Sequence, residues 1–305
     1  MRLLTRSDFD GSVCAALLEE IGLVDEIYFI HPKDLQDNKI EVNGNDIIAN
    51  CPFVEGCGLW FDHHSSEHER LALDGNFEGA SELAPSAAEV VFNYFMARDA
   101  YAPALKRFEE LVRITGIIDS AEFSGKDIIK PAGYIMLAFI SDPRTGLGRK
   151  HKFRISNFDL MKQLPGLLRR HGADEILSMP DFLERIEVYH EETEHFKQLL
   201  RRLARPEGNV LLIDFRGVTD LPVGNRFIEY VLFPKQNISM RIVEGHDKSY
   251  SMISVGYSII NRSATVNVGS LMLKYGGGGH RHVGACQIAN ERVDQAIDEI
   301  LSAIQ

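Results

Sequence analysis

Two short groups of charged side chains follow apolar stretches in the first part of the sequence. Asp8-Phe9-Asp10 comes after Leu3-Leu4, and Asp62-His63-His64 comes after Leu59-Trp60-Phe61. The apolar runs predict buried strands, and the carboxyl ends of neighbouring strands in an α/β sheet meet in one crevice. Clustered carboxylates repel one another in a low dielectric, and a divalent cation relieves that repulsion. Oxygen ligands mixed with imidazole suit Mn²⁺ or Mg²⁺.

Two further features add to this pattern. Asp119 follows the apolar run 114–118, although a lone aspartate at such a point is usually structural. Residues 276–279 are all glycine, and His280 and Arg281 follow them directly. Consecutive glycine N–H groups can form an anion-binding nest, to which an imidazole and a guanidinium add donors. The alternative interpretation of the glycine run is a flexible linker.

Composition narrows the class of protein. The chain has 305 residues and a net charge of −11, which argues against binding of long duplex nucleic acid along a basic surface. No apolar run is long enough to cross a membrane, and the first six residues turn polar too soon for a signal peptide. The four cysteines form no C-x-x-C pair, so we expect reduced thiols in a cytoplasmic protein.

The order of strand and helix signals predicts an α/β protein with two domains. Residues 1–64 alternate between the two signals, which indicates a mostly parallel sheet with helices on both faces. A second, smaller α/β domain with a mixed sheet is expected after a break at 205–209, giving domains 1–205 and 210–305. We expect the charged helical segment 184–202 either to bridge the domains or to pack in a homodimer. Strands are predicted over 2–5, 26–30, 46–49, 58–61, 210–214, 239–243, 250–255 and 285–288, and helices over 12–21, 85–98, 266–275 and 291–304, with another helix from about residue 103.

Three motifs together resemble the DHH phosphoesterase superfamily, in its RecJ and nanoRNase branch with a DHH-associated C-terminal domain. They are Asp8-Phe9-Asp10-Gly11, Asp62-His63-His64 and Gly277-Gly278-Gly279-His280, in the family's order. The resemblance implies hydrolysis of phosphodiester or phosphoanhydride bonds with Mn²⁺ or Mg²⁺. It implies metal binding by Asp8, Asp10, Asp62, His64 and Asp119, a catalytic role for Asp62 and His63, and substrate binding by Gly277, Gly278, Gly279 and His280, to which Arg281 is added as a donor.

Two positions depart from the family's pattern. A histidine usually stands two residues before the first aspartate, where this chain has Arg6, and a bridging aspartate is usual where it has Asn50. Arginine has no lone pair to offer a metal, and asparagine brings no charge. We therefore expect one strong cation site and a second that is weakened or vacant. The Arg6 guanidinium would take a catalytic role as a fixed positive charge that pairs with Asp8 and a substrate phosphate.

Three functions stay open at this level. The first is a metal-dependent phosphohydrolase acting on a small phosphorylated substrate or a short oligonucleotide, such as a cyclic dinucleotide. The second is a nucleotide or phosphate sensor that has lost turnover, which Arg6 and Asn50 favour. The third is an exopolyphosphatase, since the segment 50–62 is most similar to exopolyphosphatase-like members. A short basic stretch could contact such a polyanion: Arg144, Arg149, Lys150, Lys152 and Arg154.

Overall fold

The computed structural model describes residues 1–64, 67, 77–245 and 248–305, with Lys150 described by its backbone alone. The chain forms two compact units. The first consists of residues 1–123 and 131–187, and the second of residues 124–130 and 188–305. Residues 205–209, where we place the domain boundary from sequence, lie in strand β6 (Ala204–Glu207) and the turn after it. The division into domains 1–205 and 210–305 stays a prediction.

The first unit is built on a five-stranded sheet, here sheet A, in which every pairing is parallel. Its strands are β1 (Arg2–Arg6), β2 (Glu26–Ile30), β3 (Asp46–Ala49), β4 (Leu59–Asp62) and β5 (Gly79–Ser81). The spatial order is β2-β1-β3-β4-β5, so the chain changes direction across the sheet between β1 and β3. This confirms the predicted mostly parallel α/β arrangement.

Helices connect the strands of sheet A and follow β5. They are α1 (Phe9–Glu20), α2 (Pro32–Gln36), α3 (Ala87–Met96), α4 (Ala102–Leu105), α5 (Glu109–Asp119), α7 (Gly133–Ser141), α8 (Leu147–Lys150), α9 (Asn157–Arg170) and α10 (Ala173–Leu177). Helix α1 is buried from Phe9 to Leu18 and packs against α3, α5 and α9. It begins three residues earlier than predicted because the Asp8 carboxylate accepts the Gly11 amide as an N-cap. Asp10 therefore lies in the first helical turn.

Trp60, the single tryptophan of the chain, anchors the core beside β4. Its side chain is fully buried between Phe53 and Phe77, with ring centroids 5.2 Å and 4.8 Å away. Because its indole N–H donates to the Cys51 carbonyl at 2.9 Å, no polar atom of the ring is left unsatisfied. This packing fixes the strand that leads into Asp62.

The second unit is built on a six-stranded mixed sheet, here sheet B. Its strands are β6, β7 (Val210–Asp214), β8 (Ile238–Glu244), β9 (Tyr250–Tyr257), β10 (Gly278–His280) and β11 (Val283–Ala289), in the order β10-β11-β9-β8-β7-β6. The β7–β8 pairing is parallel and the others are antiparallel. The predicted mixed sheet is therefore confirmed, and it includes one strand, β10, that was not predicted.

The remaining helices complete the second unit: α6 (Gly125–Ile129), α11 (Pro180–Leu203, from residue 188 onward), α12 (Ile228–Leu232), α13 (Val268–Leu273) and α14 (Val293–Ile304). Helix α14 places Val293, Ile297, Ile300 and Ile304 in the core beside sheet B, at the helical spacing expected of an amphipathic segment. Within the described ranges, no helix combines the length and the apolar character needed to cross a membrane.

Candidate active site

The predicted site residues of the first unit lie at the carboxyl end of sheet A, where the strand order changes direction. Asp8 follows β1, Asn50 follows β3, and Asp62 is the last residue of β4. Strand β3 lies between β1 and β4, so the two charged groups expected on neighbouring strands are separated by the strand that leads to Asn50. Crevices at such a switch point are the usual ligand sites of open α/β sheets.

Three side chains at this edge bring ligand atoms together. Asp10, His63 and Asp119 each offer one atom, and these atoms all lie within 4.8 Å of one another. Asp10 is 2% exposed, and the side chains of His63 and Asp119 are 10% and 30% exposed. Two carboxylates and one imidazole form a donor set that suits Mn²⁺ or Mg²⁺. The predicted site residues Asp10 and Asp119 thus meet, with His63 rather than His64 beside them.

His63 shows why this cluster fits a cation. Its Nδ1 atom lies 3.1 Å from the Ala84 carbonyl oxygen, which can only accept, so Nδ1 carries the proton. Its Nε2 atom is buried, has no hydrogen-bond partner among the described residues, and lies 3.3 Å from Asp119 Oδ2. In the neutral ring a lone pair therefore faces a carboxylate oxygen. Positive charge at this point, from a cation or a second ring proton, removes the repulsion.

Asp10 is held by the amino end of a helix far along the chain. Its two carboxylate oxygens accept the amides of Ala88 and Ala87, at 2.8 Å and 2.9 Å, at the start of α3. Burial raises the pKa of Asp10 well above its usual range, and the charges of Asp119 and Asp8 raise it further, while the two amides act in the opposite direction. The carboxylates of Asp10, Asp119 and Asp8 therefore repel one another, and a cation or a proton would relieve that repulsion.

The other two residues of the second motif form a pair of their own. Asp62 is fully buried and accepts both the His64 amide, at 3.1 Å, and the His64 Nδ1–H, at 2.9 Å. This hydrogen bond raises the pKa of His64, although burial of the ring opposes the shift. Because Nδ1 faces Asp62, Nε2 is the ring atom of His64 that would meet a cation or a phosphate oxygen. The metal-binding roles predicted for Asp62 and His64 stay predictions.

Both carboxylate oxygens of Asp8 have partners within the protein. Oδ1 accepts from the Gly11 amide at 2.9 Å and from the Asn50 side-chain amide at 3.0 Å. Oδ2 lies 3.1 Å from Nε of Arg6, so the two residues form the ion pair expected from the sequence. Burial raises the pKa of Asp8, and the Arg6 charge counteracts this effect. Asp8 is not a member of the three-residue cluster.

Arg144 is an exposed cation on which the charges of the site residues act, although its own partner lies outside the cluster. In the sequence it is only one member of a basic stretch. In the structure its guanidinium Nε contacts both oxygens of Asp142, at 2.8 Å and 2.9 Å. Burial alone would lower the pKa of Arg144, whereas Asp142 and the charges of Asp8 and Asp119 raise it. The partner that Arg144 contacts is thus Asp142, and Asp8 and Asp119 act on it by charge alone.

Comparison with known proteins shows the family. No protein-family model matches the chain, and no curated protein matches it. Among solved structures, the pGpG-specific phosphodiesterase PggH from Vibrio cholerae is 39% identical with a TM-score of 0.86, over 99% of this chain and 98% of its own. This chain belongs to the DHH family. It is a phosphoesterase of that family.

More distant structures of the DHH superfamily share the fold. RecJ from Thermus thermophilus, in complex with Mg²⁺, is 15% identical with a TM-score of 0.51, and this chain aligns with 49% of its length. CDC45 from Entamoeba histolytica is 10% identical with a TM-score of 0.51, over 99% of this chain and 95% of its own. At these identities the similarity concerns the fold alone.

The glycine motif of the DHH family lies in the second unit, where part of it ends a helix. The Gly276 amide donates to Leu273 O at 3.1 Å and the Gly277 amide to Met272 O at 3.0 Å, with a φ of 73° at Gly276. This pattern is a Schellman motif at the end of α13. Those two amides are therefore not free to form the anion nest expected from the sequence. Beyond them, Gly278–His280 pairs with β11, and the His280 and Arg281 side chains are exposed.

Proposed function

We propose that this chain is a metal-dependent phosphodiesterase that hydrolyses short linear dinucleotides, with pGpG as its first candidate substrate. The observation that carries the proposal is the 39% identity, over nearly the full length of both chains, to a phosphodiesterase named as specific for pGpG. The unsatisfied Nε2 of His63 beside Asp119 and Asp10 supports the cation dependence. The net charge of −11 also agrees with a small substrate rather than a long polyanion.

Asp10, His63 and Asp119 would hold the divalent cation. When bound, such a cation polarises a phosphoryl oxygen and lowers the pKa of a water ligand. The protein's own contribution is orientation. The Ala84 carbonyl keeps Nδ1 of His63 protonated and turns Nε2 toward the carboxylates, and the α3 amides hold Asp10 in place. Side chains fixed in this way lose little freedom when the substrate binds.

The reaction is the hydrolysis of one P–O ester bond. Water oxygen forms a bond to the bridging phosphorus, the bond to the 3′ oxygen breaks, and that oxygen leaves with a proton. His64, whose pKa is raised by Asp62, has an Nε2–H suited to donate a hydrogen bond to a phosphate oxygen or the leaving oxygen. Arg6, paired with Asp8, would supply positive charge beside the reacting phosphate. With pGpG as substrate, both products are guanosine monophosphate.

The second unit would bind the substrate's anionic end. Gly277, Gly278, Gly279, His280 and Arg281 are the residues proposed from the family motif. Because the Gly277 amide is already bonded to Met272, the donors for a phosphate would come from the exposed His280 and Arg281 side chains. A cytoplasmic location and a homodimer, both predicted from the sequence, belong to this proposal as well.

Product analysis on a substrate panel tests the proposed function. Purified protein with Mn²⁺ is incubated with pGpG, a second linear dinucleotide, a cyclic dinucleotide and polyphosphate, and products are separated by chromatography. We expect guanosine monophosphate from pGpG and less turnover of the other compounds. Asp119→Asn should abolish turnover, whereas His190→Ala, at an exposed position of the second unit, should retain it. Tight pGpG binding without turnover would instead select a sensor.

Polyphosphate hydrolysis is the weaker candidate. The basic stretch that would contact a long polyanion is partly neutralised, because Arg144 pairs with Asp142 and Arg154 pairs with Asp181. Release of phosphate from polyphosphate at a rate above that of pGpG cleavage would reverse this preference.

A further inference from the structure

The three-residue cluster and Asp8 make different bonds, although they lie at the same edge of sheet A. Asp10, His63 and Asp119 bring their ligand atoms together around an unsatisfied imidazole nitrogen. Asp8 accepts two hydrogen bonds and pairs with Arg6, and its Oδ1 atom uses both lone pairs on the Gly11 and Asn50 amides. A second cation at Asp8 would have to displace one of these donors or share Oδ2 with Arg6.

Arg6 opposes a second cation by charge as well as by contact. Its Nε lies 3.1 Å from Asp8 Oδ2, so a divalent ion bound to the same oxygen would face a guanidinium at close range. Arginine keeps its charge at every working pH and cannot become a ligand. Its side chain is 47% exposed, so Arg6 is open to solvent on one side of its pair with Asp8.

Asn50 completes the same arrangement. It is 2% exposed, has a φ of 55° and directs its side-chain NH₂ group to Asp8. Asparagine and aspartate both tolerate this left-handed backbone. The amide at this position therefore donates a hydrogen bond to Asp8. A carboxylate in its place would add negative charge and a further metal ligand.

We infer that this chain binds one divalent cation, at Asp10, His63 and Asp119, and that the Arg6 guanidinium paired with Asp8 takes the place of a second. The inference rests on the proposed function for its chemistry, since the fixed charge of Arg6 would contact the non-bridging oxygens of the scissile phosphate. A guanidinium can do this in bidentate geometry. The guanidinium supplies charge but cannot activate a water molecule. Activation of the attacking water would therefore depend on the single cation.

Counting bound Mn²⁺ tests the inference without reference to turnover. The metal-free 305-residue chain is equilibrated with Mn²⁺ by dialysis, and the bound ion is examined by electron paramagnetic resonance. We expect one Mn²⁺ per chain, with the hyperfine pattern of an isolated ion, and none in Asp119→Asn. The double variant Arg6→His with Asn50→Asp should bind two, with the broadened signal of an exchange-coupled pair. Arg6→Lys, which keeps the charge, should still bind one.

Two results would overturn the inference: two tightly bound Mn²⁺ ions in the unmodified chain, or an unchanged count in the folded double variant. Circular dichroism of each variant establishes folding, and because Arg6 is half exposed, Arg6→Lys provides a second folded comparison. The proposed function fails separately. If pGpG is not cleaved while one isolated Mn²⁺ is bound, the count stands and the phosphodiesterase proposal falls. If pGpG is cleaved with two ions bound, the phosphodiesterase proposal stands and the inference of a single cation falls.

Discussion

Nε2 of His63 lies 3.3 Å from Oδ2 of Asp119, and its Nδ1 already donates to the Ala84 carbonyl. A carboxylate oxygen thus faces a lone pair in the neutral ring. The charge of Asp119 also raises the pKa of Asp10. While the ring is neutral and no cation is bound, the three side chains oppose one another, and this relationship leads to the first two predictions.

Asp119→Asn should separate the stability of the metal-free protein from its response to metal. Removal of one charge relieves repulsion, so the melting temperature without metal should stay the same or rise. The unmodified chain should gain about 2.7 kcal/mol at free Mn²⁺ near 100 times its Kd, and the variant less than about half of that. Thermal melts with Mn²⁺ and with a chelator measure both. Asp99→Asn, at an exposed acid of the same unit, is the control and should behave as the unmodified chain does.

His63→Ala should lower kcat/KM for the dinucleotide by about 10²-fold or more, since it removes a ligand atom together with its fixed orientation. His190→Ala, which changes an exposed histidine of the second unit, is the matched control and should leave kcat/KM unchanged. Steady-state kinetics over a range of Mn²⁺ concentrations measure the effect. Full activity in His63→Ala at saturating Mn²⁺ would contradict the assignment of His63 to the cation.

Asp46 should stabilise the first unit in a pH-dependent way. It accepts from Arg2 Nε and Nη2, at 2.6 Å and 2.8 Å, and from the Asn43 amide at 2.8 Å. Burial tends to raise the pKa of Asp46, but these bonds outweigh it and hold the pKa below the ordinary value of 3.8. The unfolded chain then takes up the proton first as pH falls. The stabilisation is complete above the unfolded pKa and is lost as pH drops through the folded pKa.

The corresponding experiment is urea denaturation of Asp46→Asn at pH 7 and near pH 3. We expect the variant to lose about 2 kcal/mol at pH 7 and to differ much less from the unmodified chain near pH 3. Asp25→Asn, at a side chain that is 81% exposed, should change the free energy of unfolding by less than about 0.5 kcal/mol. Equal losses at both pH values would show that the Asp46 charge is not the cause.

Adjacent glycines of the family motif should respond differently to alanine. A Cβ at Gly277 would lie 2.1 Å from the Ala285 carbonyl oxygen, whereas a Cβ at Gly278 would meet nothing within 4 Å. Gly277→Ala should therefore cost about 1–3 kcal/mol of stability, and Gly278→Ala little. Gly278→Ala is also the cleaner probe of substrate binding, because a raised KM in a stable variant would place a phosphate at this strand. Equal melting temperatures for both variants would contradict the packing at Gly277.

The sequence pattern predicts the strands of the two sheets better than it predicts the geometry of the site. Strands β3 and β7 occupy the predicted residues 46–49 and 210–214, because short buried apolar runs end there in polar turns. Asp46 is the other acid near Asn50 in the sequence, but it lies at the opposite end of β3, where it is bonded to Arg2. Four residues of extended strand separate the two ends by about 13 Å.

The finer geometry depends on contacts distant in sequence. Whether His63 or His64 meets Asp119 follows from the Ala84 carbonyl and from Asp62, and not from the order of the two histidines. The amides that hold Asp10 belong to residues 87 and 88. Likewise, part of the glycine run is needed to end α13. A run of glycines in the sequence does not show whether it ends a helix or binds a phosphate.

Trp60 gives the chain an intrinsic spectroscopic reporter. It is the single tryptophan and is buried in the first unit, so tryptophan fluorescence reports on that unit. Melting of the second unit would not be detected by tryptophan fluorescence but would be detected by circular dichroism. Its strand ends in Asp62, two positions further along. Emission recorded during Mn²⁺ titration would thus follow events near the cluster without any introduced label.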